Sequence, residues 1–209
     1  SKGNILDPIE IVNKYGLDPL RYYLLKEVSF GNDGNISKDK LISCINSDLA
    51  NNFGNLCQRV FSFIEKNLSL KIPENYYFNK EDLNILNNFT NNYENLIQNI
   101  NNKNINAYMN FIVENMFLAN KYFNDQEPWK KKNDIKRLHT IIYTSLELIR
   151  KISILLYPVI PNSSLKALHI FNLDEKNINV DSIKDNEFLK PNLSINKIKI
   201  LFNKINNDD

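Results

Sequence analysis

Cysteine and histidine are the scarcest chemistry-bearing residues here, two of each in 209 residues. Cys44 and Cys57 are too few for a four-ligand zinc site, and they stand among apolar neighbours at helical spacing, the setting of buried free thiols. His139 and His169 lie in separate helical segments, and no Cys/His or Ser/His pairing suggests a catalytic nucleophile. Five glycines and seven prolines exclude collagen-like and glycine-rich disordered classes. No apolar run reaches the length of a membrane span. A net charge of only +2, with pI about 8.3, is no signature of a nucleic-acid binder, although it leaves room for a locally basic face. The chain opens Ser1-Lys2-Gly3-Asn4, with neither an initiator Met nor a secretory signal. It reads as a piece of a longer protein in a reducing, cytoplasmic setting.

What is present is a helical pattern. Hydrophobic residues make up 43% of the chain, enough for a sizeable core. Asn, Ile and Lys are so abundant that a single Asn or Lys carries little weight. Asp7-Pro8 predicts a capped helix running to Tyr15 and ended by Gly16. Asp18-Pro19 repeats the signal for a helix over 20–27, with Leu20, Tyr23, Leu24 and Val28 inward. Residues 30–36 form a turn cluster, and Ser37 caps a long helix. After a loop at 73–79, apolar spacing marks helices over 83–100, 105–123 and 135–156, the last with Ile135, Leu138, Ile142, Ile149, Ile152 and Leu156 inward. Pro158 and Pro161 stop that helix, and Asn162 caps a last one reaching Phe171. The tail from 172 is polar, with a further helix expected over 193–205. No segment alternates with period two, so the predicted fold is all-α, an antiparallel helical bundle. Its parts are a linker over 1–36, the bundle over 37–171 and a tail over 172–209.

The stretch Asp48–Ile64 is the most informative. Leu49, Phe53, Leu56, Val60 and Phe63 form its buried stripe, while Asp48, Asn52, Asn55 and Arg59 form a polar one. Asn55 and Arg59 are four apart and share a face. Amides and guanidinium forks suit base edges, although such a stripe is ordinarily a solvated helix surface. Gly54, inside the helix, costs about 1 kcal/mol relative to Ala, and close approach of a neighbouring helix is the expected reason. Trp129, the single Trp, has two readings, a buried anchor or an exposed stacking surface. Lys130, Lys131, Lys132, Lys136 and Arg137 are either phosphate contacts or a solvated helix start.

Several stretches, in order and at matching spacing over residues 1–170, resemble the methionyl-tRNA synthetases. Ser1-Lys2-Gly3-Asn4 is similar to the end of the Lys-Met-Ser-Lys-Ser loop of class I synthetases, with Lys2 after the catalytic lysine's place. Asp18 to Glu27 resembles the family's Asp-Ala-Leu-Arg-Tyr-Phe-Leu-Leu-Arg-Glu run. Asp48-Leu49-Ala50-Asn51 with Gly54-Asn55-Leu56 and Arg59 resembles its Asp-Leu-x-Asn-x-x-Gly-Asn-Leu-x-x-Arg helix. Asn120, Tyr122 and Pro128-Trp129-Lys130 match its Asn-x-Tyr and Pro-Trp-Lys segments, and Glu147 to Arg150 also fits.

The resemblance implies the anticodon-binding bundle of that class I family. Asn55 and Arg59 would read the first base of a CAU anticodon, with Pro128 and Trp129 supplying an aromatic surface. Partners would be initiator and elongator tRNA(Met) and the protein's own catalytic domain, with no membrane. The full-length enzyme would attach methionine to tRNA using ATP with Mg, and in some members zinc. This stretch shows no Rossmann signature, no catalytic lysine and no zinc insertion, so it is expected to bind tRNA without aminoacylating it. In one departure, some members carry an acidic residue five positions before the Trp, where Asn124 stands here. The alternatives are the anticodon domain of a Leu, Val, Ile or Cys synthetase, which lacks the paired Gly-Asn-Leu-x-x-Arg and Pro-Trp motifs, and a non-enzymatic helical interaction module.

Overall fold

The computed structural model describes residues 7–27, 36–197 and 200–205. The loop remnant Ser1 to Asn4, Val28 and nearly all of the 30–36 turn cluster lie outside them. The helices are α1 Pro8–Tyr15, α2 Leu17–Glu27, α3 Lys38–Cys44, α4 Asn55–Asn67, α5 Lys80–Asn91, α6 Tyr93–Asn101, α7 Ile105–Gln126, α8 Ile135–Leu156 and α9 Pro161–Leu168. Among the described residues there is no strand, only an isolated antiparallel bridge between Lys71 and Ser194. The all-α bundle expected from the periodicity is what forms.

Capping chemistry accounts for several helix ends. Asp7 accepts the Ile9 N–H and Ser37 the Lys40 N–H. Gly16, at φ 92°, ends α1 in backbone geometry that L side chains rarely adopt. Asp18 departs from expectation. It lies inside the first turn of α2, buried, and its Oδ2 accepts the Ser163 N–H at 2.6 Å. It therefore caps α9, whose own N-cap position, Ile160, has no capping side chain; Asn162 lies within that helix. Arg21 adds bonds from Nε to the Val159 carbonyl (2.7 Å) and from Nη2 to the Pro158 carbonyl (2.8 Å).

Between α3 and α4 lies a ten-residue π-helix, Ile45–Gly54, so the rod from 38 to 67 is continuous but changes its winding midway. The predicted polar stripe is split by this change. Asp48 turns inward to the Tyr22 hydroxyl (2.9 Å) and Lys26 Nζ (2.5 Å) of α2. Asn52 receives Asn120 Nδ2 of α7 on its carbonyl and on its Oδ1. A Cβ on Gly54 would stand 2.8 Å from the Leu49 carbonyl oxygen and 3.4 Å from Phe202 Cδ2. The glycine thus serves the tight π backbone and the tail, not a neighbouring helix. Gly54→Ala should lower stability by about 1–3 kcal/mol through overpacking, despite alanine's better helix propensity. A urea midpoint unchanged or raised in the variant would show that the π-turn has room.

Helix α8 is the central element, and its outer face is buried as well as its inner one. From Leu138 to Leu156 nearly every side chain is covered, including Thr140, Thr144, Ser145, Glu147, Arg150, Lys151 and Ser153. Ile135, expected inward, is 51% exposed. The cover comes from the tail together with α5 and residues 76–78, with the Tyr76 N–H on Thr140, Phe78 against Tyr143 and Phe89 beside Lys151. Instead of the helix expected over 193–205, the described part of that stretch is irregular, and Ile183, Leu189 and Ile195 enter the common core.

Candidate nucleic-acid interface

Arg59 projects from the middle of α4 toward the end of α7. Its Nη2 donates to Asn124 Oδ1 at 2.6 Å, and its guanidinium carbon lies 5.1 Å from the Phe123 ring centre and 5.9 Å from that of Trp129. Trp129 packs edge-on against Phe123 (6.0 Å, 66°) and remains 41% exposed. Of its two readings, the half-exposed surface is the one formed. The turn that presents it is built locally. Glu127 ends α7 in the left-handed region (φ 45°), and Pro128, buried, starts a short 3-10 turn over Pro128–Lys130. Partial burial pulls the Arg59 pKa down.

Asn55 begins α4, is exposed, and lies one helical turn before Arg59 on an adjoining face. It lines an open groove of about 430 Å³ with Asn51 and Gln58 on one side and Phe202, Asn203 and Lys204 on the other. Arg59 and Trp129 are thus brought together directly, whereas Asn55, one turn earlier on α4, faces the groove, which neither of them lines. Gln58, Asn203 and Lys204 escaped the sequence reading. Gln58 looked like any polar surface position, and the tail's approach leaves no local signal.

The basic residues divide. Lys130 (paired to Glu127 Oε1 at 2.7 Å), Lys132 and Lys136 are exposed, Lys131 is half-buried, and Lys136 lies 5.6 Å from the Tyr76 ring centre. Arg137 is turned inward. It grips buried Asp82 with Nη1 (2.5 Å) and Nη2 (2.9 Å), and Nη2 also reaches Gln126, while Tyr122 donates its hydroxyl to the same carboxylate. Its guanidinium is thus committed to partners within the protein, with little of the side chain exposed. Cys44 and Cys57 are buried free thiols, and burial pushes Cys44 up to about 12. Among the described residues no group of three or more His, Cys, Asp or Glu could hold a metal ion, and no helix is long and apolar enough to cross a membrane.

The helical bundle thus presents an arginine, an aromatic surface and exposed amides, and residues 1–61 match the family model described as tRNA synthetases class I (M). Residues 72–209 match the model described as the anticodon binding domain of methionyl tRNA ligase. The chain belongs to the methionyl-tRNA ligase family. It is 39% identical over 171 residues to a methionine–tRNA ligase of Brucella suis, covering 81% of this chain and 33% of that protein. It is 32% identical over 211 residues to that of Thermotoga maritima, covering all of this chain and again 33% of the relative. The chain thus spans about a third of the length of these curated relatives. The crystal structure of free Mycobacterium tuberculosis methionyl-tRNA synthetase superposes with a TM-score of 0.90 at 29% identity, over 98% of this chain and 42% of that one. The same enzyme bound by methionyl-adenylate also gives 0.90, at 31% identity, over 97% of this chain and 41% of that one.

Proposed function

We propose that the chain binds the anticodon loop of tRNA(Met), initiator and elongator alike, with Arg59 and Asn55 reading the first base of CAU and Trp129 stacking on an anticodon base. The observation that carries this reading is the posture of Arg59, held by Asn124 and the Phe123 ring beside half-exposed Trp129. Splayed loop bases are recognised by aromatic stacking and by hydrogen bonds at their edges. Cytosine offers acceptors at O2 and N3 and a donor at N4. A guanidinium, which only donates, suits the two acceptors, and a carboxamide oxygen such as that of Asn55 suits the amino group. Uracil places an N–H at N3, facing a donor. Asn124, where some relatives carry an acid, keeps Arg59 in place without adding charge.

The test is titration with a stem-loop RNA carrying CAU against one carrying UAU. CAU is expected to bind roughly 5- to 150-fold tighter, the equivalent of about 1–3 kcal/mol. Arg59→Ala and Asn55→Ala should remove that preference. Trp129→Ala should weaken both RNAs by a similar factor, since stacking is worth about 1–3 kcal/mol per base. Equal binding of the two RNAs by the native chain would sink the assignment. Lys130, Lys131, Lys132 and Lys136 are assigned to phosphates, and replacing any one of them by Ala should flatten the salt dependence by about 0.7 in log–log slope.

On the same reading the whole protein is a cytoplasmic, ATP-dependent methionine–tRNA ligase, with residues 1–36 linking the bundle to its catalytic domain. Methionine activation, with ATP, Mg and in some relatives zinc, belongs to that domain. The chain by itself should give no methionine-dependent ATP–pyrophosphate exchange, and a signal from the purified chain would overturn this.

A further inference from the structure

We propose that the segment 200–205 is the second wall of the anticodon groove, and that Asn203 and Lys204 contact the nucleotide flanking the first anticodon base. This rests on the anticodon reading above and adds a part of the chain that no motif pointed to. The groove beside Asn55 is bounded on its far side by Phe202, Asn203 and Lys204, and among the described residues no carboxylate lines it. Four carboxamides, Asn51, Asn55, Gln58 and Asn203, face one volume. Each can both donate and accept, which suits the mixed edge of an unpaired base. Lys204 supplies a positive charge, as a phosphate contact requires.

The wall is also held in place. Asn46, on the π-helix, donates from Nδ2 to the Ile205 carbonyl and accepts the Ile205 N–H on Oδ1, both at 2.8 Å. The reciprocal pair imitates one rung of a β-ladder. Phe202 rests against Gly54, where no side chain intervenes. Anchors therefore stand on both sides of Asn203-Lys204 and leave those two side chains exposed. An element fixed at both flanks presents its exposed groups at little further entropic cost, which is what an RNA contact needs.

The experiment uses the full chain and a stem-loop RNA bearing CAU, with 4-thiouridine placed singly on either side of the first anticodon base. Asn203→Ala/Lys204→Ala is expected to weaken binding about 10-fold, to flatten the salt slope by about one phosphate contact, and to leave melting temperature and the CAU-over-UAU ratio unchanged. One of the two thiouridines should crosslink to residues 200–205 in the native chain and lose that crosslink in Asn46→Ala, which frees the wall. Native affinity and salt slope in the double variant, with Trp129→Ala still defective, would overturn the wall while leaving the anticodon reading intact. Absence of CAU preference in the native chain would overturn both.

Discussion

Arg150→Met is expected to lower stability by about 3–5 kcal/mol, the usual cost of removing one member of a buried ion pair, and to expose residues 182–189 to protease. Arg150 is fully buried on α8. Its Nε donates to Glu147 Oε2 at 2.7 Å, Nη1 to Ser182 Oγ at 3.1 Å, and Nη2 to the Ser182 and Asp185 carbonyls, both at 3.0 Å. Its guanidinium carbon lies 4.4 Å from the Phe188 ring centre. Methionine fills much of the volume but leaves the Glu147 charge without its counterion and three acceptors without donors. Glu147 would keep only the Leu189 N–H at 2.7 Å and a long bond from the Tyr143 hydroxyl. Adding Glu147→Gln should restore part of the loss, because the carboxylate left without its counterion is then gone. Urea unfolding and limited proteolysis decide the matter; a loss below about 1 kcal/mol with unchanged cleavage would mean that hydrophobic packing alone holds the tail.

The neighbouring Lys151 should make stability rise with pH between about 7 and 10.5. It is fully buried, with Nζ 2.7 Å from the Ile183 carbonyl, 2.5 Å from Asn186 Oδ1 and 5.5 Å from the Phe89 ring centre. Burial, and then the Arg150 charge, push its pKa down to about 7, against weaker upward pulls from Glu147 and Asp185. Between that value and the ordinary one near 10.5 the unfolded chain holds one proton more than the folded chain. Stability therefore climbs with pH, at up to about 1.4 kcal/mol per unit. The contribution is complete above the unfolded value and is lost as pH falls toward about 7. The buried thiols Cys44 and Cys57 act in the opposite sense above about pH 9, and the buried tyrosines Tyr22, Tyr122 and Tyr143 above about pH 10, because burial pushes all five groups up. Comparing the native chain with Lys151→Met from about pH 7.5 to 9.5 isolates the lysine. A difference in unfolding free energy that stays flat across that range would mean that Lys151 remains charged in the fold.

The periodicity of apolar residues was enough to read the bundle, because helical spacing is imposed by local geometry. The caps at Asp7 and Ser37 were legible for the same reason. Arg59 and Trp129 were singled out from motifs, and they meet in space. The misreadings share one cause, partners distant in the chain. Asp18 looks like the cap of the helix that contains it, yet its carboxylate serves an N–H of α9. Arg137 sits in a lysine run and reads as surface until Asp82 is seen beneath it. Glu147, Arg150 and Lys151 make α8 look half-polar, because their partners, chiefly backbone carbonyls in and just after the 3-10 turn Val180–Lys184, leave no pattern. The π-turn is equally silent, since its side chains fit an α-helical stripe until i+5 bonding redistributes them among α2, α7 and the tail.

The cap that Asp18 lends to α9 also dictates an order of events during synthesis. Its partner, Ser163, is 145 residues further along, and the bonds from Arg21 close loops of 138 and 137 residues. At roughly 5–20 residues per second the ribosome takes about 7 to 29 seconds to make that partner. Over that interval the buried carboxylate of α2 has nothing to cap and Arg21 has no carbonyls to bind. Tyr22 and Lys26, on the other end of α2, can meet Asp48 soon after they emerge, so α2 is tied down at one end early and at the other only when α9 has been made.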